Sequence, residues 1–110
     1  MHLVNRHTGE RLEVRRVTRG GDAWLELRGS LPPGRQGPPM HVHHVEDESG
    51  HIREGTLSAV LDGRPISVRA GESTFIPRGT PHRWWNDGPD LLEFDGTARP
   101  VADLDQYLQA

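Results

Sequence analysis

The sequence predicts an all-β protein, a closed barrel or two-sheet jelly roll, and three observations carry that prediction. Short segments alternate apolar and polar residues, Gly and Pro punctuate them at short intervals, and Asp62–Gly63 forms a hairpin signal between two such segments. The first alternating run, "RLEVRRV", puts Leu12 and Val14 on one face, and "AWLELRG" does the same for Leu25 and Leu27. Both read as half-buried antiparallel strands. "LPPGRQGPP" reads as a loop, because its four prolines remove four backbone donors; it serves either as a pocket rim or as an ordinary strand connection. After it comes "MHVHHVEDE", read as strand. "TLSAV" and "PISVRA" flank the Asp62–Gly63 turn, with Pro65 limiting pairing at the start of the second strand. In "PRGTPHRWWN", Pro77, Gly79 and Pro81 mark a tight corner before a short strand that restarts at His82. Last, "VADLDQYLQA" spaces Val101, Leu104 and Leu108 at helical intervals after Pro100, which predicts a short C-terminal helix.

Composition limits the functional classes. The 110 residues show no linker or repeat, so one domain over residues 1–110 is expected. The hydrophobic fraction of 33% is low for a lone small domain, so a homodimer interface is expected to help it stay folded. Net charge is −3 with both signs scattered, which gives neither the basic stripe of a nucleic-acid binder nor a membrane patch. Cysteine is absent, which excludes disulfides, thiolate nucleophiles, iron–sulfur clusters and cysteine-rich zinc sites. All 13 basic residues are arginine, so no lysine is present to form an internal Schiff base. The N-terminus has no apolar signal-peptide core and no stretch approaches the length of a membrane span, so a cytoplasmic protein acting on a small molecule is the expectation.

Four residues carry the chemistry: His41, His43, Glu48 and His82. Histidines two apart on a strand share a face, so His41 and His43 point inward together if Met40 and Val42 point away. Glu48 follows His43 at an odd offset, and a turn or bulge in "HVED" is needed to bring it round.

The spacing of these residues resembles that of the cupin superfamily. His41, His43, Glu48 and Gly55 match its first motif, within residues 41–55, and Gly71, Pro77, Gly79, His82 and Asn86 match its second, within residues 71–86. One departure lies upstream, where the family often has a glycine six residues before the first histidine and this chain has Arg35, with Gly34 and Gly37 nearby. The resemblance implies a double-stranded β-helix, a homodimer, and a metal held by His41, His43, Glu48 and His82. It also selects Glu48, over its neighbours Glu46 and Asp47, as ligand and catalytic carboxylate.

Three imidazoles and a carboxylate suit one divalent transition metal (Fe, Mn, Ni, Co, Cu or Zn) and not calcium or magnesium. Four protein ligands leave two octahedral positions free for a substrate with adjacent oxygens, or for one substrate atom plus dioxygen or water. The alternative is a satisfied hydrogen-bond network without metal. Parity suggests Gly50, Ile52 and Trp84 as pocket lining, with Met40 and Phe75 as further candidates; Gly50 leaves room beside the metal. His44 follows a ligand directly and so faces away from the metal, His51 faces outward unless a bulge at Gly50 reverses the parity, and the acidic Glu46–Asp47 turn reads as solvated. The resemblance favours a dioxygenase-type enzyme of the quercetin dioxygenase kind. An isomerase, cyclase or decarboxylase, and a non-catalytic binding or sensing module, remain as alternatives.

Overall fold

The computed structural model describes residues 1–100, and the helix expected over 101–110 lies outside the described residues. Ten strands and no helix occur among the described residues: β1 (His2–Val4), β2 (Arg11–Arg19), β3 (Asp22–Leu31), β4 (Arg35–Gln36), β5 (Asp47–Glu54), β6 (Thr56–Leu61), β7 (Arg64–Arg69), β8 (Ser73–Ile76), β9 (His82–Asn86) and β10 (Leu92–Arg99). They pair antiparallel into a six-stranded sheet, β1-β2-β3-β10-β5-β8, and a four-stranded sheet, β4-β9-β6-β7. This is the expected jelly-roll architecture.

Local sequence explains the connections. Asp62 and Gly63 take φ of 50° and 77°, the left-handed pair that a two-residue hairpin turn requires, and Leu61 faces Arg64 across it. Pro65 is accommodated because β7 is an edge strand. The proline-rich loop departs from expectation in one respect. Between its two proline pairs, Arg35 and Gln36 keep their donors and form β4 against Asn86 and Trp85.

"MHVHHVEDE" also differs from the sequence expectation. His41 makes a single bridge to His82, the chain bends at His44–Val45, and β5 begins only at Asp47. Within β5 the register runs unbroken from Glu48 opposite Ala98 to Ile52 opposite Phe94; the irregularity falls beyond, where Arg53 is the extra residue between Ile52 and Glu54. Gly50 therefore introduces no bulge, and His51 faces outward.

The two sheets close on Leu31, Ile52 and Leu92 from the larger and Val68 from the smaller, with Leu57, Ile66, Trp84 and Phe94 packed against them. Each fully buried Leu or Ile contributes about 1.5–3 kcal/mol. A second cluster, Val14, Leu25 and Ala98, continues along the inner face of the larger sheet. Between the sheets, toward β1 and β2, the packing opens into a cavity.

Candidate metal centre

Two backbone anchors bring the histidines together. His41 and His82 exchange both hydrogen bonds of a bridge, N to O at 3.0 and 2.9 Å, which sets their rings side by side with centroids 4.1 Å apart. Gly79 N donates to His43 O at 2.8 Å, so the corner before β9 also holds the His43 segment. Gly79 has φ of 80°, a left-handed conformation that glycine adopts without steric cost.

One ring nitrogen from each of His41, His43 and His82 lies within 4.8 Å of the others. Two of the rings are oriented from behind: His41 Nδ1 lies 2.8 Å from Pro39 O and His82 Nδ1 lies 2.9 Å from Thr80 O. With Nδ1–H donating to a carbonyl, Nε2 is left as the lone-pair nitrogen, the arrangement that metal-binding histidines use. His43 Nε2 meets Glu48 Oε1 at 2.7 Å. The bend at His44–Val45 brings Glu48 round, and its odd offset from His43 then poses no conflict. The donor set fits a divalent transition metal: three imidazoles within coordination range of one another, two with their second nitrogen already satisfied, and one carboxylate adjoining the third.

The charges respond to this crowding. Burial pushes His41 below the ordinary imidazole pKa, with the neighbouring His82 and His43 adding to the effect and the Pro39 carbonyl and Glu48 opposing it. His43 is raised, chiefly by its hydrogen bond to Glu48. For Glu48, burial acts upward, but the His43 bond and the three imidazoles outweigh it and carry the carboxyl below its ordinary value. Asp47 points away to Arg78, accepting from its backbone N at 2.8 Å, Nε at 3.2 Å and Nη2 at 3.0 Å, and is lowered to about 2.

The four residues line one end of a cavity of about 730 Å³. Its walls are mainly apolar, including Leu12, Leu27, Leu57, Ile66, Ile76, Trp84 and Phe94. Gly50 lines it as well, and a Cβ there would meet nothing nearer than Thr74 Cγ2 at 3.8 Å. Pro38 and Pro39 contribute to the lining, so the proline-rich loop forms part of the rim. Phe94 packs edge-to-face on Trp84, with centroids 5.2 Å apart.

Three lining assignments are corrected. Ile52 faces inward but lies in the closed core at 1% exposure, packed with Leu31 and Leu92, because parity fixes the face of a strand and not the depth along it. Phe75 lies on the outer face of β8, 59% exposed, since pairing of Gly50 with Thr74 turns Thr74 and Ile76 inward instead. Met40 is 49% exposed and outside the lining, on the side of the chain away from its neighbour His41, which lines the cavity. The acidic turn is not simply solvated either: Glu46 is buried, its Oε2 3.8 Å from His43 Nδ1. His44 is exposed, and His51 Nδ1 lies 2.8 Å from Ser73 Oγ on the outer face.

Sequence reading missed the N-terminal contribution. Asn5, Arg6 and Glu10, from the turn between β1 and β2, line the cavity with Leu3 and Val4. The pattern "NRHTGE" between "HLV" and "RLEV" is the signal: Asn5 Oδ1 accepts from His7 N and Thr8 N at 3.0 and 3.3 Å, an Asx turn, and Gly9 follows with φ of 77°.

Comparison with known proteins agrees with this geometry. Residues 27–94 match the family model described as a cupin domain. The chain is 37% identical over 78 residues to the oxidoreductase iacF of Pestalotiopsis fici, an alignment covering 68% of this chain and 38% of that protein. It thus spans well under half the length of that relative. A predicted oxalate decarboxylase from Thermotoga maritima superposes with a TM-score of 0.71 at 25% identity, covering 92% of this chain and 91% of that one. An RmlC-like cupin from Shewanella frigidimarina superposes with a TM-score of 0.75 at 18% identity, covering 93% and 86%.

Proposed function

The chain belongs to the cupin family, and from that premise we propose that it is a metal-dependent enzyme acting on a small molecule, of the dioxygenase type. The observation that carries the reading is the pair of imidazoles, His41 and His82, braced through Nδ1 by backbone carbonyls at the end of a largely apolar cavity. His41, His43, His82 and Glu48 would hold one divalent transition metal. When bound, the metal supplies a Lewis-acidic and redox-capable centre with positions open to substrate oxygens and dioxygen.

On this reading the chain's own residues bind, orient and desolvate. Trp84, Phe94, Leu57 and Ile66 take the apolar body of the substrate and exclude water. Glu48, whose Oε1 lies 2.7 Å from His43 Nε2 while that pair shares a proton a bound metal would displace, is the carboxylate able to accept a proton from a substrate hydroxyl at its second oxygen. Similarity to an oxidoreductase supports the redox reading. A decarboxylase is the second reading, favoured by the likeness to the Thermotoga protein, although a small dianionic substrate would meet few cationic groups here: Arg6 is the one arginine among the described lining residues. A metal-free binding or sensing module is the non-catalytic alternative.

The deciding experiment is element analysis of protein expressed without a histidine tag, followed by anaerobic addition of catechols and flavonols. Near-stoichiometric iron, manganese, nickel, cobalt or copper with a spectral change on addition is the expected result. A folded, metal-free protein that still binds these compounds would replace the enzyme reading with the binding module.

A further inference from the structure

The cavity has two polar ends, and the second lies outside both histidine motifs. The turn before β2 is fixed by its own hydrogen bonds: Asn5 N to Glu10 O at 2.8 Å, Gly9 N to Asn5 O at 2.7 Å, and Glu10 N to Thr8 Oγ1 at 3.2 Å. It rests on the loop after β3, where a Cβ on Gly9 would come within 2.8 Å of Pro32 Cγ. A turn held in this way presents Asn5, Arg6 and Glu10 to the cavity in one orientation.

Register places this turn far from the imidazoles. Glu48 pairs with Ala98, Ala98 with Leu25, and Leu25 with Arg16, so the level of Glu48 crosses β2 at Arg16, six residues along the chain from Glu10 and three strands over. The wall between them is apolar, formed by Leu12, Leu27 and Phe94. Among the described residues the Glu10 carboxyl has no hydrogen bond or ion pair. Burial raises its pKa with no cation to offset the cost. A half-buried carboxyl without a partner, lining a cavity, is suited to accept from a ligand.

We propose that Glu10, with Asn5 beside it, is a specificity-determining end of the cavity, selecting an elongated, mostly apolar substrate that carries a hydroxyl or N–H donor at the end remote from the imidazoles. This rests on the reading of the cavity as the substrate pocket of a metal centre. Such a ligand has a pair of chelating oxygens at one end, a planar or aliphatic body against Leu12, Leu27 and Phe94, and a donor for Glu10 at the other.

The test compares two probes, 3-hydroxyflavone and 3,4′-dihydroxyflavone, which share a chelating keto–hydroxyl pair and differ in the remote hydroxyl. Affinities are measured by titration calorimetry on zinc-loaded full-length protein. Wild type is expected to bind the dihydroxy probe about tenfold more tightly. Glu10→Leu removes that preference, bringing the two probes to equal affinity, while Glu10→Gln, which retains an acceptor and is nearly isosteric, reduces the preference in part. Equal affinities in wild type, a preference undiminished in both variants, or binding of neither probe would overturn the proposal. Repeating the titration on metal-stripped wild type separates the two ideas: affinity independent of metal sinks the metal-centre reading, whereas metal-dependent affinity with no hydroxyl preference in the zinc-loaded protein sinks this one alone.

Discussion

His82 is 2% exposed and tied on both sides, by its bridge to His41 and by Thr80 O. His82→Ala is therefore expected to leave the protein folded but substoichiometric in metal after purification, as read by element analysis. Glu48→Gln should weaken metal retention while circular dichroism shows the β-sheet signal intact. Metal occupancy should also fall with acid through the imidazole range near pH ~6.5, since coordinating histidines must be unprotonated. The sign follows from His43: Glu48 raises its pKa, so the proton with which a metal competes persists to higher pH, and affinity climbs until it leaves. Full occupancy well below that range would contradict histidine ligation. Asn86 has a different task. Buried at 1% exposure, it donates to Leu31 O and Asp90 O at 2.9 Å each and accepts from Gly88 N at 3.1 Å. Asn86→Ala leaves these groups unsatisfied and should cost about 1–3 kcal/mol in urea unfolding. Motif spacing found every one of these residues, because chemistry at fixed offsets survives changes in the chain between them. It missed Glu10, whose role depends on a turn docking across the fold.

At the scale of elements, Gly55 links β5 to β6 with φ of 78°, and a Cβ there would lie 2.7 Å from Leu91 O, a backbone atom with little freedom to move. Gly55→Ala should destabilise the fold by about 1–3 kcal/mol or more, seen as a lower urea midpoint at unchanged slope. The exposed Asp47–Arg78 pair ties the start of β5 to the corner before β9. Asp47 is lowered to about 2 from 3.8, so its contribution is full above 3.8 and disappears as pH falls toward 2. The gap in melting temperature between wild type and Asp47→Asn should therefore be small at neutral pH and close across that acid window. Strands with clean alternation, β2 and β3, and the Asp62–Gly63 hairpin were legible because period and turn chemistry are local. The His41–His43 segment was not: its direction comes from one bridge and a bend, neither of which a local pattern encodes, and Met40, a lining candidate from sequence, is exposed.

At the scale of the whole molecule, we propose that the chain forms a homodimer, and sedimentation velocity should give twice the mass of 12.3 kDa. A monomer at micromolar concentration would remove dimerisation from the account. Large apolar side chains left outside, Phe75 on the edge strand β8 and Val4 on the edge strand β1, are consistent with surfaces that a second copy covers. The two-sheet plan was readable from hairpin spacing, but which strands neighbour across the sheets was not, since β10 inserts between β3 and β5 from the far end of the chain. That insertion sets Gly96 opposite Gly50. The two glycines differ in latitude: a Cβ on Gly96 would press to 3.2 Å from Ser49 O, whereas one on Gly50 would meet only ordinary contacts, Thr74 Cγ2 at 3.8 Å and Asp95 O at 3.9 Å, and Gly50 is not among the positive-φ glycines. Position 50 is thus where the pocket wall accepts the added carbon of alanine at ordinary contact distances. A lineage could exchange a bulky substrate for a slighter one through that site alone while keeping its chemistry.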